Sequence, residues 1–91
     1  MEELINVLTK TTGLVKFELQ EAGLSYFRYT HIHDYELYLD GITLVLDDDA
    51  EMYISSVCNT LISKDDSAAD VVKYVICTVN KSILSIVIEK T

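Results

Sequence analysis

Residues 34–51 constrain the fold more than any other stretch, because turn chemistry and strand periodicity agree there. Asp40-Gly41 has the composition of a two-residue hairpin turn whose two central residues both take positive φ. A hairpin folded about this turn pairs Leu39 with Ile42 and places alternate residues on one buried face. The predicted core face of the hairpin consists of Tyr35, Leu37, Leu39, Ile42, Leu44 and Leu46.

The acidic run Asp47-Asp48-Asp49 after the hairpin predicts the start of a helix. Asp48 suits the N-cap position, and Glu51 follows at the spacing of a capping box. A magnesium or calcium site is the alternative, but the run lacks the glycine and the distal glutamate of an EF-hand loop. The predicted helix extends from Asp48 to about Ser63 and buries Ile54, Val57, Cys58 and Leu61.

The first third of the chain predicts one helix and two strands. Apolar residues at helical spacing predict a short helix over Met1–Thr12. Alternating apolar and polar residues predict a strand over Leu14–Gln20, followed by a turn at Glu21-Ala22-Gly23 and a second strand over Ser25–His33. Together with the hairpin, these strands indicate an antiparallel meander.

The last third leaves residues 73–79 open between helix and strand. Ser67 and Asp70 form a second capping box, and the apolar spacing after them favours a helix. The segment is also rich in β-branched residues, so a strand that turns at Asn80-Lys81 is the alternative. The final segment, Ser82–Lys90, is apolar on both faces and predicts a central or covered strand.

These elements predict a small α+β fold with residues 1–91 as a single domain. Its antiparallel β-meander has about four to five strands, with one N-terminal and one or two C-terminal-half helices packed on one face. A chain of 91 residues can bury one modest core, and its hydrophobic content of 49% is that of a folded protein.

The charge balance bears on function. Fifteen acidic residues against seven basic ones give a net charge of −8, which disfavours direct binding of nucleic acid and favours a basic partner. The acidic N-terminus does not read as a signal peptide, and no apolar segment is long enough to cross a membrane. We therefore expect a cytoplasmic protein, in the host cytoplasm if it is viral. Cys58 and Cys77 show no ligand spacing and are predicted to be small buried hydrophobes.

Motifs for catalysis are absent from the sequence. It has no nucleophile elbow, no activated cysteine and no phosphate-binding loop, so we expect neither an enzyme nor a bound cofactor. His31 and His33 form a pair that could bind zinc if Glu18 or Glu36 supplied a third ligand. Because two histidines alone are too short a motif to indicate a metal site, we prefer to interpret them as ordinary strand residues.

The acidic surface is the feature that most favours a function. No Lys or Arg occurs in residues 34–51. Carboxylates on a rigid surface can take the place of nucleic-acid phosphates in a basic groove, and an outward tyrosine can anchor the contact. An ordinary solvated surface that keeps the protein soluble is the alternative. The predicted partner-binding residues are Asp34, Glu36, Tyr38, Asp40, Asp47, Asp48, Asp49 and Glu51.

In size, charge and layout the chain resembles the small acidic inhibitors of bacteriophages and mobile elements, namely anti-CRISPR proteins and uracil-DNA glycosylase inhibitors. The resemblance implies a DNA mimic that blocks the basic nucleic-acid-binding surface of a host defence or DNA-processing enzyme. It includes no shared motif and assigns no residue a role. The alternative is a structural or regulatory module that forms a homodimer through a sheet edge, with the apolar strand Ile83–Ile88 as the pairing strand.

Overall fold

The structure, a computed structural model, describes residues 1–90, which form one α-helix, eight β-strands and a short 3₁₀ turn at Asp47–Asp49. No helix in this range is long and apolar enough to cross a membrane. In chain order the elements are α1 (Glu2–Lys10), β1 (Val15–Glu21), β2 (Leu24–Thr30), β3 (Asp34–Tyr38), β4 (Gly41–Val45), β5 (Glu51–Ser55), β6 (Thr60–Asp65), β7 (Val71–Cys77) and β8 (Ile83–Glu89).

The strands form two antiparallel sheets. The large sheet has the order β2-β1-β8-β7-β6, and the small sheet has the order β3-β4-β5. β8 lies in the middle of the large sheet, where Ile86 pairs with Phe17 of β1 and with Tyr74 of β7. The prediction that this apolar strand is central is therefore confirmed. A homodimer through Ile83–Ile88 is ruled out as a sheet-edge contact, because both edges of β8 are already paired.

One core joins α1, the inner face of the large sheet and the inner face of the small sheet. The amphipathic α1 buries Leu4 and Leu8 completely. Glu3 on its flank accepts a hydrogen bond from the Tyr74 hydroxyl at 3.3 Å and forms an ion pair with Lys64. The predicted N-terminal helix is thus confirmed, and it lies against β6 and β7.

The helix predicted over Asp48–Ser63 is wrong, since this segment forms β5 and β6. In β5, Ile54 is buried and Met52 is half-buried, whereas Glu51 and Tyr53, which alternate with them, are exposed. That is a period of two, as in a strand. Asp48 and Asp49 have φ of 64° and 59°, which a helix start does not allow. The helical spacing was a coincidence, and Cys58, predicted to be buried, is exposed.

The second predicted helix is also wrong, and the strand alternative for residues 73–79 is correct. These residues lie in and just after β7, which pairs with β8 on one side and with β6 on the other. Two flanking strands and a high content of β-branched residues outweigh the helical spacing. Ser67 caps no helix: its N–H and hydroxyl donate to Asp65 Oδ1 at 3.0 and 2.6 Å. The α+β class with a single meander of four to five strands is therefore replaced by a mostly β fold of eight strands in two antiparallel sheets with one N-terminal helix.

The central hairpin is confirmed, but its predicted turn is displaced by one residue, and Tyr35 and Leu37 of its predicted core face are exposed. The turn is Leu39-Asp40, and Leu37 rather than Leu39 pairs with Ile42. Gly41 begins β4, and it is not among the residues with positive φ. A Cβ at Gly41 would overlap the carbonyl oxygen of Ile54 and lie 2.8 Å from Tyr53 Oη. The glycine therefore permits close approach of β5, and Leu39 is left fully exposed in the turn.

Candidate functional site

The outer face of the small sheet carries the largest group of predicted site residues. Asp34 pairs with Val45, which pairs with Glu51, so these three side chains form one row across the sheet. Glu36 is opposite Thr43 rather than the predicted Val45, because the register differs by two residues. We call this surface the acidic face, and it consists of Asp34, Glu36, Tyr38, Gly41, Thr43, Val45, Glu51, Tyr53 and Ser55.

Two tyrosines form an aromatic pair on the acidic face. The rings of Tyr38 and Tyr53 are 6.3 Å apart and meet edge to face at 62°. Gly41 of β4 pairs with Tyr38 on one side and with Ser55 on the other, and the Tyr53 hydroxyl donates to the Asp40 carbonyl at 3.1 Å. A hydrogen bond with Glu36 raises the pKa of Tyr38, and partial burial followed by the charge of Asp40 raises the pKa of Tyr53. Both phenols are thus neutral donors at neutral pH.

Every charged side chain that residues 1–90 contribute to the acidic face is negative. Asp34, Glu36 and Glu51 are all exposed, and no Lys or Arg of residues 1–90 belongs to this face. Asp48 and Asp49 lie exposed in the loop between β4 and β5, at the end of the sheet where Asp34 and Glu51 are located. Asp40 lies at the opposite end, in the β3–β4 turn.

Asp47 does not share the orientation of its two acidic neighbours. Its Oδ2 accepts from the His31 N–H at 3.2 Å and lies 3.3 Å from His31 Nδ1, and its Oδ1 contacts His33 Nε2. These hydrogen bonds, the one with His33 first, lower the pKa of Asp47 to about 2. The carboxylate therefore serves contacts within the molecule.

The backbone of Asp47 joins the two sheets at the same place. Its N–H donates to the hydroxyl of the fully buried Thr30 at 3.0 Å, and its carbonyl accepts from the Arg28 guanidinium. Thr30 and Arg28 belong to β2, so the bonds tie the large sheet to the β4–β5 loop. The His33 N–H donates to the Val45 carbonyl at 2.8 Å, which continues the β3–β4 pairing into the linker that follows β2. Asp47 is best understood as a structural connector.

The zinc hypothesis finds no support in this arrangement. His31 and His33 lie in the linker between β2 and β3, not on a strand, and the carboxylate that contacts both is Asp47 rather than Glu18 or Glu36. Within residues 1–90, no group of three or more His, Cys, Asp or Glu side chains is placed to hold a metal ion. Hydrogen bonding to Asp47 accounts for both histidines.

Tyr53 is the residue of the acidic face that sequence reasoning missed. Tyr53 falls within the helix predicted from Asp48 to about Ser63, whereas in the structure it follows Glu51 by two residues in a strand and so shares its face. The alternation of polar-tipped residues with the apolar Met52 and Ile54 is the sequence signal that could have identified it. Five residues are too few to distinguish this alternation from one turn of a helix by pattern alone.

Comparison with known proteins gives no family for this chain. No protein-family model, no curated protein and no solved structure matches it.

Proposed function

We propose that this protein is a non-enzymatic inhibitor that uses the acidic face to occupy a basic, nucleic-acid-binding surface of a host defence or DNA-processing enzyme. The observation that carries the proposal is the grouping of Asp34, Glu36 and Glu51 with two exposed tyrosines on one sheet surface to which no Lys or Arg of residues 1–90 belongs. Such a protein would act in the cytoplasm of the host.

The sheet gives the carboxylates a fixed spacing. Neighbouring strands lie about 4.8 Å apart, and alternate residues of a strand lie about 7 Å apart. Asp34 and Glu36 are related by the second spacing, and Asp34 and Glu51 by two of the first. Negative charges held at such distances can neutralise the Lys and Arg side chains of a basic groove, which releases counterions as nucleic acid does.

Tyr38 and Tyr53 supply aromatic anchors, which a protein interface uses in addition to complementary charge. Aromatic side chains with few rotatable bonds are enriched among residues that dominate binding energy. Tyr38 and Tyr53 are 47% and 50% exposed, although each already packs against the other. They are therefore largely pre-organised, and little side-chain entropy is lost when a partner covers them.

The structure changes the set of residues that we propose for the interface. Asp47 is removed because its carboxylate is held by His31 and His33, and Tyr53 is added. The negative surface is extended beyond one end of the small sheet by Asp48 and Asp49, and beyond the other end by Asp40. Length and charge still support the resemblance to phage and mobile-element inhibitors, whereas the layout of several helices flanking one sheet does not.

The test is capture from bacterial lysate on immobilised protein. The bait variant combines Asp34→Asn, Glu36→Gln and Glu51→Gln; its matched control combines Glu2→Gln, Asp66→Asn and Asp70→Asn, which removes equal charge elsewhere. We expect the wild type and the control to retain the same basic nucleic-acid-binding protein, and the acidic-face variant to lose it. Because exposed charges are screened beyond about 8 Å at physiological ionic strength, retention should fall as salt rises.

Added duplex DNA should release the captured protein, since it would compete for the same groove. If both triple variants retain the same proteins as the wild type, or if DNA releases nothing, the acidic face does not act as a nucleic-acid mimic. Equal loss in both variants would point to net charge alone and would likewise remove the proposal.

A further inference from the structure

β2 is an edge strand that lacks the features by which proteins keep sheet edges from pairing. Its seven residues pair with β1 without a register shift, so no bulge twists it away. Arg28 is its one charged residue, and the chain has no proline. Its large apolar and aromatic side chains are 56–65% exposed: Leu24, Tyr26, Phe27 and Tyr29.

The other edges in the described part of the chain are protected. β6 has a register shift between Leu61 and Ser63 and ends in charged residues. β3 carries Asp34 and Glu36, so a second copy brought to its edge would face like charges, and β5 follows the acidic turn Asp47–Asp49 and begins with Glu51. This contrast directs attention to β2, where neither a bulge nor a carboxylate opposes pairing.

We propose that β2 pairs antiparallel with β2 of a second copy of this chain, which joins two five-stranded sheets into one across a two-fold axis. The β1–β2 hairpin turns at Ala22-Gly23, with φ of 51° and 79°, as a type I′ turn requires. Residues that flank such a turn form a hydrogen-bonded pair, and bonded pairs then alternate along the ladder. Ser25, Phe27 and Tyr29 consequently direct their N–H and C=O groups to the open edge.

This alternation selects one self-complementary register. With the two-fold axis at Phe27, that residue bonds to Phe27 of the second copy, and Ser25 bonds to Tyr29 on either side. Every outward backbone group of these three residues finds a partner, which is the condition for a closed, isologous contact. A contact of this kind ends at two copies because each copy has one β2 edge.

Side chains suit the same register on both faces. On the outer face, the Phe27 and Tyr29 rings meet edge to face at 6.0 Å, with Lys16 Nζ 5.4 Å from the first ring centroid and 5.7 Å from the second. The second copy would extend this pair to four rings across the axis. On the inner face, Tyr26 would lie opposite Arg28 of the second copy, a cation–π pairing.

The charge near β2 is balanced, unlike that of the acidic face. Lys16 and Arg28 offset Glu18 and Glu21, which lie on β1 beside β2 or at the end of the hairpin. Local repulsion between two copies is therefore small, and the net charge of −8 on each copy acts mainly at longer range. Salt screens that long-range repulsion, so this dimer should become tighter as salt rises, the reverse of binding through the acidic face.

The test is the molar mass of the purified full chain in solution. Sedimentation equilibrium from micromolar to millimolar protein should show a rise from 10.3 kDa toward twice that mass. Raising salt from about 0.1 M to about 1 M, which shortens the Debye length from about 10 Å to about 3 Å, should lower the dissociation constant. Phe27→Lys places two like charges on the axis and should raise this constant at least about tenfold.

Two further variants make the outcome specific. Ile62→Lys adds the same charge at another exposed apolar residue, on the β6 edge, and should leave the dissociation constant unchanged. Ser25→Pro removes an outward N–H without touching the β1 ladder and should weaken the dimer even if Phe27→Lys fails to fold. A wild type that stays at 10.3 kDa in high salt, or equal weakening by Phe27→Lys and Ile62→Lys, would overturn the proposal and leave this edge to a strand of another protein.

Discussion

Gly41 shows how one residue can be required for a reason that its sequence context does not reveal. Asp-Gly suggested positive φ, whereas the structure uses the missing Cβ to let the Ile54 backbone and the Tyr53 ring approach. Gly41→Ala should therefore lower the free energy of unfolding by about 1–3 kcal/mol, the usual cost of overpacking, measured by urea denaturation. Gly13→Ala is the control, because its added Cβ meets mainly the flexible Glu89 side chain.

Gly41→Asn distinguishes the two explanations for this glycine. Asparagine tolerates positive φ, so a positive-φ turn would accept it with little loss. Because the space is filled by β5, we expect Gly41→Asn to destabilise the protein at least as much as Gly41→Ala. An asparagine variant as stable as the wild type would restore the turn that the sequence suggested.

Asp47 is the residue whose ionisation the fold depends on most clearly. Contacts with His33 and His31 lower its pKa from 3.8 to about 2, so its contribution to stability is complete above the unfolded value near 3.8. That contribution disappears as pH falls through the folded value near 2. Asp47→Asn should therefore lower the urea midpoint at pH 5–7, and its difference from wild type should shrink between about pH 4 and pH 2.

Asp49→Asn is the matched control for this pH dependence. Asp49 is exposed, and its φ of 59° suits asparagine, so the variant should show no loss of midpoint relative to wild type across the same range. A constant difference between Asp47→Asn and wild type down to pH 2 would show that the carboxylate charge of Asp47 is not what stabilises the loop.

At the scale of elements, the sequence correctly predicted the helix and strands that local signals determine. The prediction failed for the elements that depend on pairing between strands distant in the sequence. The N-terminal helix, the first hairpin and the central position of β8 follow from periodicity and turn chemistry. β5, β6 and β7 do not, because their β-branched residues also fall at helical spacing and only the neighbouring strands resolve the choice. The residues of the predicted capping boxes at Asp48 and Ser67 lie in loops instead. Short acidic and hydroxyl side chains can hydrogen-bond to the nearby backbone in a loop as well as at a helix start.

The candidate site was predicted in part for the same reason. Asp34, Glu36 and Tyr38 kept their predicted face although the register was wrong, because a shift of two residues preserves which side chains share a side. Tyr53 was missed because β5, the strand that contains it, was predicted to be part of a helix. The inward role of Asp47 depends on a linker that brings His31 and His33 to it, a tertiary contact that no local pattern encodes.

At the scale of the whole molecule, the net charge of −8 should make the folded state less stable at low salt. The described carboxylates outnumber their ion pairs: Glu3 pairs with Lys64 and Asp47 contacts two histidines, whereas the acidic face has no cationic side chain from residues 1–90. Surface ion pairs contribute little, about 0–1 kcal/mol each, so the loss of these pairs in salt should be smaller than the relief of repulsion.

We therefore expect the urea midpoint to rise when salt increases from about 0.1 M to about 1 M, measured at low micromolar protein so that self-association does not contribute. Glu36→Gln, in the middle of the acidic face, should raise the low-salt midpoint and reduce its dependence on salt. Glu2→Gln removes one charge at the start of α1, where the helix dipole favours an anion, and should not raise the midpoint. If the urea midpoint falls as salt rises, ion pairs stabilise the folded state more than like-charge repulsion destabilises it. Repulsion on the acidic face would then not destabilise the free protein, and a basic partner would have no such repulsion to neutralise.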